Sequence, residues 1–203
     1  MSNTLALFWN LAATDREARI DASNELVNAL LQQSSDFGNV DDTTLMESPL
    51  SEQVTDDEVA GAEQRIDDAN TQDVSYAIRR LVRGLASPRE NARIGFAVAL
   101  SGLLTHLKTV SANDVLVLLL KYSVVHGNMN GQEVRDLQFA RLFGIYALVR
   151  SRLLYRACLS TFQRAFHILI HVASYKSWLS EPCGWVLTEL VEPLALSLIH
   201  ISE

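Results

Sequence analysis

The chain has 203 residues, is 48% hydrophobic and contains only 4 Pro and 9 Gly, which suits long regular elements around one sizeable core and excludes a disordered or collagen-like chain. Its net charge of -7 is unevenly spread: Asp36 to Asp73 carries 12 of the 24 acidic residues against a single base, Arg65, a local balance of -11 that leaves +4 for the rest. From Tyr76 to Arg156 there are 12 Lys or Arg against 4 acids, so an acidic segment stands beside a basic body.

In chain order, Thr4 to Ala12 reads as a short apolar helix carrying Leu5, Phe8, Trp9 and Leu11. It lacks the basic flank and small-residue cleavage site of a secretory signal. Thr14-Asp15-Arg16-Glu17 has the pattern of a capping box and predicts a helix from Asp15 to Gln33, with Ile20, Val27, Leu30 and Leu31 on one stripe beside Ala22 and Ala29. Residues 1–33 form a helical lead. Periodicity then fails: residues 34–72 are acidic, rich in Ser, Thr, Asp and Asn, and too poor in large apolar groups to offset chain entropy. They are expected to be an acidic, largely disordered insert, in which Thr55-Asp56-Asp57-Glu58 can cap a short helix running toward Asp68.

After Asp73 the helices follow quickly: Val74 to Leu85, Pro88 to Lys108, Ala112 to His126 with Ser111 as its cap, Gln132 to Ser151, Tyr155 to Trp178, and Pro182 onward. At the first corner Ser87 is the expected N-cap, Pro88 takes the first helical position and Glu90 completes a capping box. The longest apolar run, Val115 to Val125, is broken by Lys121 and falls short of the ~18–20 residues of a membrane span. Cys158 and Cys183 lack metal-ligand spacing and sit in apolar helical patterns, which suits a reducing compartment and a soluble intracellular protein.

Two helices look alike. Ala92, Arg93, Ala99 and Leu100 match Ala140, Arg141, Ala147 and Leu148 at a constant offset of 48 residues, close to the ~40–47 of armadillo and HEAT units. In the helix from Pro88, the residues Ala92, Phe96, Ala99, Leu100, Leu103 and Leu107 form one stripe, with Ile94 and Val98 apolar on another side. A helix apolar on two sides is packed on two sides. The expected fold is all-α: an armadillo/HEAT-like helical repeat, a solenoid fragment, over residues 73–195. The apolar C-terminus has no polar capping helix, and residues 196–203, LSLIHISE, resemble a translated sequencing adaptor and are expected to be a non-native tail.

FWNLAATDREAR at Phe8–Arg19, YAIRRLVRGLASPRENARIGFAVALSGLL at Tyr76–Leu104 and RLFGIYALVRSRLL at Arg141–Leu154 resemble the N-terminal region of the DNA polymerase phi family, in its fungal type. The order agrees too: a helical lead, an acidic insert, then an arginine-rich helical corner. The resemblance implies a nucleolar, armadillo-like protein acting in ribosomal RNA synthesis and ribosome assembly.

The residues themselves show no catalytic constellation. A polymerase needs carboxylates that hold two metals about 4 Å apart, whereas Asp114, Glu133 and Asp136 stand at loop edges or helix starts, where acids favour the helix dipole. His167 and His171 have a zinc-compatible spacing but lack the intervening Glu and further ligands. No enzyme activity, cofactor, metal, small-molecule substrate or membrane is expected. The candidate contact residues are Arg79, Arg80, Arg83, Arg89 and Arg93 at the corner, and Arg141, Arg150, Arg152 and Arg156 further on. Arginine's fork of donors suits phosphate, so the expected role is a scaffold for ribosome-assembly or transcription proteins that also meets rDNA or pre-rRNA through basic helix edges. The alternative is a protein adaptor recognising acidic peptides, or arginines that simply pair with the acidic insert. Aromatic stacking partners look scarce.

Overall fold

The computed structural model describes residues 2–33 and 51–201. Its helices are α1 (Ser2–Asn10), α2 (Arg16–Gln33), α3 (Asp56–Ala69), α4 (Gln72–Gly84), α5 (Glu90–His106), α6 (Ala112–Tyr122), α7 (Gly131–Arg150), α8 (Leu159–Tyr175) and α9 (Ser177–Ile201), with a 3-10 turn at Leu153–Arg156. They stack in two layers. One runs α2, α5, α7, α9, each against the next; the other runs α4, α6, α8; and successive helices pair across the layers as α4 with α5, α6 with α7, and α8 with α9. This is the all-α helical-repeat fragment that the sequence predicts. The helices matched at 48 residues, α5 and α7, are neighbours in one layer.

Side-chain caps begin four of the described helices, α2, α3, α6 and α7. Asp15 Oδ2 accepts the Ala18 amide at 2.7 Å, so Asp15 rather than Thr14 begins α2. Ser111 accepts the Asp114 amide at 3.1 Å, as expected for the start of α6. Asn130 accepts the amides of Gln132 and Glu133 and completes a capping box with Glu133 at the start of α7. Burial does the rest. Every residue of α6 from Ala112 to Leu120 is buried, because α3, α4 and α7 all pack on it; each fully buried Leu or Val there contributes about 1.5–3 kcal/mol.

Close approach explains two of the mid-helix glycines, Gly95 and Gly144. A Cβ on Gly95 would strike the Leu11 carbonyl, and one on Gly144 would strike the Leu119 side chain, so both positions admit only hydrogen where helices meet.

Several expectations are corrected. The acidic insert is not loose from residue 51 onward. Thr55 forms a capping box with Glu58 and starts α3, the short helix expected to run toward Asp68, and its Ala62 and Ile66 are buried; what charge content did not reveal is that this helix packs on α6. The part of the expected insert from 34 to 50 lies outside the described residues, as do residues 202–203 and the side chains of the suspected tail. In α2, Leu26 is buried while Ile20 is 40% exposed. In α5 burial widens the expected stripe on both flanks, with Arg93, Ala97 and Leu104 on one and Gly95 on the other, whereas Val98 is exposed. The helix expected from Tyr155 to Trp178 is divided: Arg152 adopts φ 59, the chain makes its 3-10 turn, and an extended Lys176 ends α8. Pro182 lies inside α9 rather than at its start.

Candidate functional site

The corner between α4 and α5 is built by short-range bonds. The Ser87 amide donates to the Gly84 carbonyl at 3.1 Å, and Ser87 Oγ accepts the Arg89 amide at 3.3 Å. The expected Ser87–Glu90 capping box does not form. Arg89 stays extended and delays the first helical residue to Glu90, which leaves Ser87 too far back to reach an N3 amide.

Two of the candidate arginines are internal, which removes them from the contact surface. Arg93 is 4% exposed; its Nη1 donates to the Ser87 carbonyl at 2.8 Å and to Asp136 Oδ1 at 3.0 Å, and its guanidinium lies 4.9 Å from the Phe139 ring centre. Arg141 is 6% exposed. Its Nε and Nη2 donate to Ser123 Oγ and the Ser123 carbonyl, both at 3.2 Å, and Nη1 meets Glu52 Oε2 at 2.7 Å. Each therefore clamps the loop that precedes its own helix. That shared task falls on the two arginines matched at 48 residues, both of which the sequence offers as candidate contact residues.

Arg79, Arg80 and Arg83 remain accessible and line an open groove of about 670 Å³ together with Tyr76, Phe96 and Tyr122. Arg79 Nη1 donates to Asp67 Oδ1 at 2.8 Å. Arg80 Nη1 donates to the Tyr76 hydroxyl at 2.9 Å, and its guanidinium lies 4.8 Å from the Phe8 ring centre, an arrangement that holds the charge at the groove wall. Arg83 and Arg89 are exposed and form no ion pair among the described residues. The aromatic members were missed in sequence. Tyr76 precedes Arg80 by one helical turn and was legible as a neighbour, but Phe96 and Tyr122 arrive from α5 and α6 and carry no local signal.

Arg150, Arg152 and Arg156 are exposed too, but the structure does not join them to this groove. The Arg93–Asp136 pair sets the N-terminal parts of α5 and α7 side by side, so the C-terminal end of α7 lies away from the corner by most of its length. For 20 residues that is about 30 Å. Arg150 Nη1 stands 3.9 Å from Glu189 Oε2.

The acidic residues from 52 to 67 are spread over the body as counter-ions. Glu63 meets Lys121 at 2.6 Å, Arg65 Nε donates to Asp114 Oδ1 at 3.0 Å, and Glu58 lies 3.4 Å from Arg164, an arginine that the sequence reading did not single out. Burial pushes the Asp114 carboxyl above its ordinary value, with Arg65 and Ser111 opposing. Burial pulls the Arg164 guanidinium below its ordinary value, with Glu58 opposing.

Residues 76–201 match the family model described as DNA polymerase phi. The chain is 41% identical over 139 residues to a Schizosaccharomyces pombe protein named rDNA transcriptional regulator pol5, covering 67% of this chain and 14% of that protein. It is 30% identical over 144 residues to the POL5 regulator of Saccharomyces cerevisiae, covering 59% of this chain and 14% of that protein. It is 28% identical over 148 residues to Myb-binding protein 1A of Rattus norvegicus, covering 72% of this chain and 8% of that protein. The chain thus spans a small part of these relatives' length, and no solved structure matches it. With the family model covering more than half of its residues, including the whole arginine-lined corner, the chain belongs to the DNA polymerase phi family.

Proposed function

We propose that the chain is a piece of a nucleolar regulator of rDNA transcription and ribosome biogenesis, that it works as a helical-repeat scaffold without catalysis, and that its corner groove holds phosphates of rDNA or its transcript. The yeast relatives are named as rDNA transcriptional regulators, which supports the process. The buried carboxylates Asp114 and Asp136 each bond an arginine, which supports a structural use for them. The observation that carries the groove's role is the open wall of Arg79, Arg80 and Arg83 facing Tyr76, Phe96 and Tyr122. Guanidinium forks beside aromatic faces suit a sugar-phosphate chain with partly exposed bases.

The test is anisotropy with labelled duplex DNA and structured RNA between 50 and 200 mM salt. Wild type should bind with a steep salt dependence, and Arg80→Ala with Arg83→Ala should weaken binding and reduce the salt slope by about one per lost phosphate contact. Salt-independent or absent binding by wild type overturns the reading. An acidic peptide that binds the groove in place of nucleic acid would favour the adaptor alternative.

A further inference from the structure

Arg164, in the first half of α8, is 0% exposed, yet no carboxylate on a neighbouring helix of the repeat stack satisfies it. Its bonds go to the segment that leads into α3 and to the first turn of that helix. Nε donates to the Ser51 carbonyl at 2.8 Å, Nη2 to the Gln53 carbonyl at 3.3 Å and Nη1 to Glu58 Oε1 at 3.4 Å. The chain bends at Glu52, and one planar guanidinium grips the carbonyls on either side of the bend. Between them, Glu52 meets Arg141 Nη1 through Oε2 at 2.7 Å, and its Oε1 lies 2.7 Å from His171 Nδ1. Main-chain carbonyls held by one arginine and a side-chain carboxylate held by another are contacts of the kind that recognise an acidic peptide segment.

The segment fills the polar half of this cleft and leaves the rest open. Beside Val54 is a cavity of about 610 Å³, lined by Val124, Val125, Val134 and Gln138 as well as by Arg141 and His171. Gln138 is 3% exposed, and its Oε1 has no hydrogen-bond partner. A buried amide oxygen without a donor is costly, and the space beside Val54, bordered by Val124, Val125 and Val134, is larger than one valine fills.

We propose that this cleft is a recognition site for an acidic segment of a partner protein that takes up the same bend and first helical turn, with carboxylates in the places of Glu52 and Glu58 and a bulky apolar side chain in the place of Val54. Residues 51–58 occupy the site in cis when that partner is absent. A larger side chain fills the valine-lined space, and an N–H of the incoming segment meets Gln138 Oε1. The site is distinct from the corner groove and stands whether or not that groove binds phosphate.

The experiment uses the full chain and labelled synthetic peptides of sequence SEQVTDDE, in native form, with Val54→Phe, and with Glu52→Gln plus Glu58→Gln. Weakening the cis segment in the protein by Glu52→Gln and Glu58→Gln should tighten binding of the Val54→Phe peptide about tenfold or more over wild type. The double-Gln peptide should bind about tenfold more weakly than the native peptide. Failure of the folded variant to bind any peptide, or equal binding of the three, overturns the proposal. On wild-type protein, excess Val54→Phe peptide should raise amide hydrogen exchange at 53–58. Unchanged exchange overturns the proposal, as does exchange raised by duplex DNA or RNA and not by the peptide.

Discussion

Arg83 and Arg93 flank the same turn, one in the last turn of α4 and the other in the first turns of α5. Arg83 projects into an open groove, whereas Arg93 turns inward to Asp136 and the Ser87 carbonyl. The same residue type in the same basic cluster thus lies exposed at a groove wall in one place and works as a clamp in the other. What separates them is the helix face: that of Arg93 looks at α7, and that of Arg83 at solvent. Charge clustering in sequence marks a region, and packing assigns the role of each member.

The sharpest way to break the comparison is to truncate both. Arg93→Ala leaves the Asp136 carboxylate, with its side chain 6% exposed, without its buried partner, and should cost about 3–5 kcal/mol in urea denaturation. Arg83→Ala should change stability by less than about 0.5 kcal/mol while still weakening nucleic-acid binding. Equal losses at the two sites would erase the distinction. Next in size is the contact beside the clamp. Gly95→Ala pushes a methyl group into the Leu11 carbonyl and should cost about 1–3 kcal/mol, whereas Gly131→Ala, with nothing within 4 Å of its new Cβ, should fall well below that.

The helix starts after the two turns also differ. Asn130 accepts two amides in a complete capping box, so Asn130→Ala should cost about 1 kcal/mol. Ser87 accepts only the Arg89 amide, at 3.3 Å, and Ser87→Ala should cost less. The smallest effect concerns the acidic side of the molecule. Burial holds the Asp114 carboxyl above its ordinary value, so the folded chain retains that proton to a higher pH than the unfolded chain does. Its contribution is therefore fully present below the unfolded value and is lost as pH rises through the raised folded one. Asp114→Asn should flatten this part of the stability profile between pH 3 and 7, and Arg65→Met, which removes the opposing charge, should steepen it.

Legibility followed the range of the interaction. The helices of the repeat region and the Ser111 cap could be read because capping and amphipathic spacing act within a few residues. The corner's cap could be misread for a related reason. Ser87, Pro88 and Glu90 have the right identities, but the extended Arg89 shifts the helix by enough to break the pattern. The second half of the acidic insert was misjudged because its counter-ions, Arg141 and Arg164, lie about a hundred residues downstream, beyond any local window.

The arginine-rich corner with which the folded body begins shows the division most clearly. Sequence by itself determined that α4 and α5 exist, that a sharp turn joins them, that α5 is echoed in α7, and that the surrounding charge is basic. Periodicity, turn chemistry and composition are properties of neighbouring residues, and they survive without a fold. Only the tertiary structure decided that Arg93 and Arg141 hold the stack together, that Arg79, Arg80 and Arg83 share a groove with Phe96 and Tyr122, and that Arg164 grips an acidic segment. Those outcomes depend on which helix faces meet, and burial can reverse the meaning of a charge that the chain displays identically in each place.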